Sequence, residues 1–100
     1  MSNVQTTINE MHNGSIEIIL QGISSTTPLI LLNAIIAGTK LGIKEKEFVE
    51  GLKKAEQSEE MLMGVPIKEF ASASLEILEI QKYLGDNNRV KEMVQCKLNF

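Results

Sequence analysis

The sequence predicts an all-α fold, and three observations predict it. Apolar residues recur at intervals of three and four along nearly the whole chain, which is the helical period. Start and stop residues punctuate that pattern, with Pro28 and Pro66 opening segments and Gly42 and Gly85 closing them. Only three Phe and one Tyr stand among the 43% hydrophobic residues, so Ile, Leu, Val, Met and Ala must fill the interior, which suits packed helices. About five helices are expected in a single domain over residues 1–100. They form either a right-handed stack of antiparallel helix pairs or a compact helical bundle.

Residues 1–23 read as one bent helix or two short ones. Val4, Ile8 and Met11 share a helical face, and His12-Asn13-Gly14-Ser15 interrupts it, because Asn-Gly favours positive φ and Ser15 is a suitable cap. From Ser15 to Ile23 two periods compete. Ile16, Ile18 and Leu20 alternate as in a strand, whereas Ile16, Ile19, Leu20 and Ile23 repeat as in a helix. No other segment offers a strand to pair with it, and an isolated strand leaves its backbone groups without partners, so helix is expected. Gly22 to Thr27 is then an interhelical turn.

Pro28 to Gly42 is the organising element. Ser25, Thr26 or Thr27 caps its start, Pro28 occupies the first turn and Gly42 comes after the last apolar position. Only Asn33, Thr39 and Lys40 interrupt its apolar surface, so neighbours must cover it on most sides. Ala34 and Gly38, one turn apart, let a neighbouring helix approach closely.

Lys44 to Gln57 is amphipathic. Phe48, Val49, Leu52 and Ala55 share a face, the charges lie elsewhere, and Glu50 stands four residues before Lys54 in the favourable order for an ion pair. Ser58 to Val65 is expected to be a short helical turn ending at Gly64, since Pro66 disfavours helix at Val65. Ile67 to Leu84 is expected to be the longest helix. Ile67, Phe70, Ala71, Ser74, Leu75 and Leu78 form one face and Ala73, Ile77, Ile80 and Leu84 a second, leaving Lys68, Ser72, Glu76 and Glu79 as a polar stripe. Gly85 ends it and Asp86 is a suitable cap for a new helix. Arg89 to Lys97 forms that last helix, with Val90, Met93 and Val94 at helical spacing.

The two halves are similar to each other. Pro28 opens a buried helix with Ala34 and Leu41 seven apart, followed by a charged helix with Val49 and Leu52 three apart. Pro66 opens another with Ala71 and Leu78 seven apart, followed by Val90 and Met93 three apart. Units of this size with two helices each are those of helical solenoids. At these residues, and at Asn33-Ala34 followed by Lys40-Leu41-Gly42, the chain resembles the HEAT family of helical repeats over roughly residues 27–96. The resemblance implies helix pairs at 27–57 and 66–97, with 15–22 as the second helix of a partial leading unit. It also implies a scaffold that binds other macromolecules.

The residues needed for most chemistry are missing. A nucleophilic triad needs a base and an orienting acid, and the chain has one His, His12, in a polar turn, and one Asp, Asp86. Cys96 lies close to Met93 and Val94 and is expected to pack at a helix end. One Cys and one His cannot supply a zinc site, and Glu10 and His12 have the wrong spacing for a di-iron bundle. Gly38-Thr-Lys-Leu-Gly42 lacks the Gly-Lys-Ser/Thr order of a phosphate loop. No catalytic centre, cofactor or metal is expected. Glu56, Glu59 and Glu60 form an acidic cluster expected to be a solvated face.

Net charge is −3 with a single Arg, which argues against nucleic-acid binding by phosphate neutralisation. The longest apolar run, broken at Asn33, is too short to span a bilayer, so no membrane association is expected. Met1-Ser2-Asn3-Val4 does not have the layout of a secretory signal and Cys96 has no disulfide partner, so the expected location is cytoplasmic. The expected function is a non-catalytic protein–protein interaction or scaffold domain. Its contact face would comprise Glu47, Glu50, Lys54, Arg89 and Glu92 on the two charged helices. A homodimer is expected, since the open end of a short stack leaves apolar residues near Met93, Leu98 and Phe100. Two alternatives predict different contacts. An inhibitor or immunity-type protein blocking a basic partner would use Glu56, Glu59 and Glu60, and a DNA-binding regulator would use Asn88, Arg89 and Lys91.

Overall fold

A computed structural model describes residues 4–62 and 64–82 together with Glu92 and Cys96. The fold is all-α. Its helices among the described residues are α1 (Val4–His12), α2 (Ile16–Gly22), α3 (Pro28–Leu41), α4 (Lys46–Ala55) and α5 (Ile67–Ile77). A two-residue antiparallel ribbon, β1 (Met61–Leu62) with β2 (Val65–Pro66), lies between α4 and α5. The expected final helix at 89–97 falls outside the described residues except for Glu92 and Cys96. Both are exposed, so Cys96 is not the packing residue expected of it.

Residues 4–23 hold two short helices, and the segment 16–22 with two competing periods is helical. Met11 and Ile19 supply the fully buried positions of that region, while Val4 and Ile16 stay exposed. Gly14 turns the chain between the helices at φ 93°.

α3 is the hub. It packs against α1, α2, α5 and the ribbon, while α5 also packs on α4. Ala34, Ile35, Ala37 and Gly38 are buried along its middle, and Leu29 and Leu41 emerge at its two ends. Thr39 is buried too, its hydroxyl donating to the Ile35 carbonyl at 2.6 Å, so this polar break in the apolar surface is satisfied within the helix. Small residues set the close contacts. A Cβ on Gly38 would run into the Phe48 ring of α4, and one on Gly22 would meet Met11 and Ala34. Phe48, Leu52 and Ala55 bury the apolar face of α4 as its period predicts.

Further expectations are corrected. Residues 58–65 do not form a helical turn: Leu62 pairs with Val65 and Met61 with Pro66, around a turn in which Gly64 has φ 79°. The extended bias of a residue before proline places Val65 in a strand, and the Ile67 N–H, donating to the Glu60 carbonyl at 3.1 Å, continues the pairing into the start of α5.

The helix expected over 67–84 ends at Ile77, which leaves α3, at 14 residues against 11, the longest helix described. Glu79 takes φ 62°, its N–H bonds the Glu76 carbonyl, and the Ile80 N–H bonds the Leu75 carbonyl. This is the closure Gly42 gives α3, where the Gly42 and Ile43 N–H groups bond the Thr39 and Gly38 carbonyls. In both cases the next residue, Ile43 or Ile80, packs back on the core. The expected polar stripe on α5 is also interrupted, because Ser72 is buried.

Candidate functional site

A concave surface forms where the turn after α2 meets α4. Ile23, the residue after α2, lies over Gly51 so closely that a Cβ on Gly51 would strike its side chain. A glycine inside a helix costs about 0.5–1 kcal/mol relative to alanine, and here it admits that crossing. Two hollows open on either side of the seam. The larger hollow, about 390 Å³ and here the deep arm, has Ile23, Pro28, Leu31 and Ala55 as its apolar lining and Ser24, Thr26, Ser58 and Glu60 among its polar groups. The smaller hollow, about 270 Å³ and here the shallow arm, lies between α2 and α4 and is lined by Leu20, Glu47 and Glu50. Ile23, Ser24, Gly51 and Lys54 line both arms, so the two hollows adjoin across the seam and are taken together as the cleft.

Local chemistry shapes the rim. Ser25 Oγ accepts the Thr27 N–H at 3.0 Å, tightening the turn that leads into Pro28. Ser58 Oγ does the same for the Glu60 N–H at 3.1 Å. The ion pair on α4 is Lys46 with Glu50, 3.9 Å apart, in place of the expected Glu50 with Lys54. Both its side chains are well exposed, so it contributes little. Lys54 is left to the cleft.

Of the expected contact residues, the structure brings Glu47, Glu50 and Lys54 to one cleft. Glu92 is exposed, and Arg89 lies outside the described residues, as do Met93, Leu98 and Phe100 of the expected dimer end. The acidic cluster is divided. Glu56 Oε2 accepts from Gln81 Nε2 at 2.8 Å in a partly buried contact, whereas Glu59 and Glu60 are exposed. His12 bonds Asn33 and faces no nucleophile in that contact. No group of three metal-binding side chains occurs among the described residues, and none of their helices is long and apolar enough to cross a membrane.

The chain matches no protein-family model, curated protein or solved structure. The cleft therefore has to be interpreted from its own residues. Sequence reasoning missed its deep arm because Ser24, Leu31, Ala55 and Ser58 come from separate segments. The one available signal was Gly51, a helix-weakening residue in the middle of an otherwise good helix-forming run.

Proposed function

We propose that the chain is a non-catalytic protein-binding domain and that the cleft over Gly51 is its contact surface. The observation that supports this reading is the juxtaposition, in two adjoining hollows, of an apolar lining with Glu47, Glu50 and Lys54. Binding sites of this kind combine apolar area for affinity with a few placed charges for orientation. A scaffold role agrees with the HEAT-like resemblance, and action in the cytoplasm is part of the same reading. The inhibitor alternative is weakened by the engagement of Glu56 with Gln81, which takes one carboxylate out of the acidic cluster.

The test is affinity capture from the source cell with the wild-type chain and with Ser24→Trp. Ser24 is exposed and lines both arms, so the indole would occupy the cleft without entering the core. The reading requires a protein that is retained by the wild type and lost from the variant, with the helical circular dichroism spectrum unchanged. Equal retention by both, or no retained protein, would overturn it.

A further inference from the structure

We propose that the cleft receives a partner segment carrying a large aliphatic side chain for its deep arm and a lysine or arginine for its shallow arm. This rests on the protein-binding reading above and specifies the chemistry of the partner. The deep arm supplies the first requirement. Its apolar lining of Ile23, Pro28, Leu31 and Ala55 surrounds about 390 Å³, at the small end of the range for ligand pockets, which suits one or two anchor side chains.

The second requirement comes from charge. The cleft is lined by three carboxylates, Glu47, Glu50 and Glu60, against one ammonium, Lys54. Glu47 and Glu50 stand three residues apart on α4, where like charges are neighbours and mutually unfavourable. Glu50 is only loosely neutralised by Lys46, at 3.9 Å and with both side chains largely in water. A cation entering the shallow arm relieves that repulsion while the apolar contact next to it excludes water. An acidic segment would meet two carboxylates at the same place. Lys54, shared by both arms, sets the register, because it disfavours a second cation midway along the cleft.

The test is selection of a random peptide library on the immobilised full chain at low salt, followed by fluorescence-anisotropy titration of the most enriched peptide. Enriched sequences should combine Leu, Ile or Met with Lys or Arg. Glu47→Lys/Glu50→Lys, which changes only exposed side chains, should weaken binding at least about tenfold. Raising the salt should weaken binding of the wild type more than that of the double variant. Enrichment of acidic sequences, no enrichment, or unchanged affinity in the double variant would overturn the proposal. Failure here, with a captured cellular protein still lost from Ser24→Trp, would leave the protein-binding reading standing and remove only the basic-segment inference.

Discussion

His12 Nε2 lies 2.8 Å from Asn33 Oδ1, so the last residue of α1 is bonded to the middle of the central helix. The amide orientation is set by its other contact. Asn33 Nδ2 donates to the Leu29 carbonyl at 2.8 Å, which leaves Oδ1 as an acceptor and makes the imidazole N–H the donor. Asn33, a polar break in an apolar helix, is thereby used at both ends of its amide.

A double-mutant cycle on that pair should give a coupling of about 0.5–1 kcal/mol, because the bond is exposed and replaces hydration of both groups. His12→Ala and Asn33→Ala should each lower the urea midpoint. The double variant should lose less than the sum of the two. Strict additivity would show that the contact contributes nothing to the docking of α1.

Gly38→Ala should destabilise the protein by about 1–3 kcal/mol even though alanine is the better helix former. The added methyl would overlap the ring of Phe48, which is fully buried and cannot swing into solvent. Phe48→Leu in the same background should recover part of the loss by clearing the ring carbons that clash. A melting temperature for Gly38→Ala equal to or above wild type would mean that α3 and α4 do not meet there.

Glu79→Gly should raise stability by about 0.5–1 kcal/mol. A left-handed non-glycine residue carries about 1–2 kcal/mol of steric cost, partly offset by the greater unfolded-state freedom of glycine. Gly42→Ala should show the opposite sign, because Gly42 has φ 69° in the same two-bond closure. Thermal or urea denaturation of both variants checks the pair, and a fall in stability for Glu79→Gly would refute the account of where α5 ends.

Ser74→Ala should be neutral or stabilising by up to about 1 kcal/mol. The Ser74 hydroxyl is fully buried on α5 and has no hydrogen-bond partner among the described residues, so it carries a desolvation cost without compensation. Alanine removes that cost and favours the helix. A loss of more than about 1 kcal/mol on denaturation would show that the hydroxyl is engaged.

The sequence by itself determined what neighbouring residues settle among themselves. Pro28 and Gly42 mark the ends of α3, and the spacing of Phe48, Leu52 and Ala55 marks the buried face of α4, because caps and periodicity act within a turn or two of the chain. Ile16–Gly22 is helical for a reason also legible there, since no neighbouring segment offers it a partner strand. Tertiary structure decided the rest. α5 ends at Ile77 and the chain turns away at Glu79, where no glycine announces it, because packing of the partly buried Ile80 against the core offsets the strained backbone. The ribbon at Met61–Pro66 is a local pairing of Leu62 with Val65, of which the sequence carries only the extended bias before Pro66. The cleft exists because Ile23 crosses Gly51 and brings the turn before Pro28 against α4, a juxtaposition of residues about thirty positions apart that periodicity does not report.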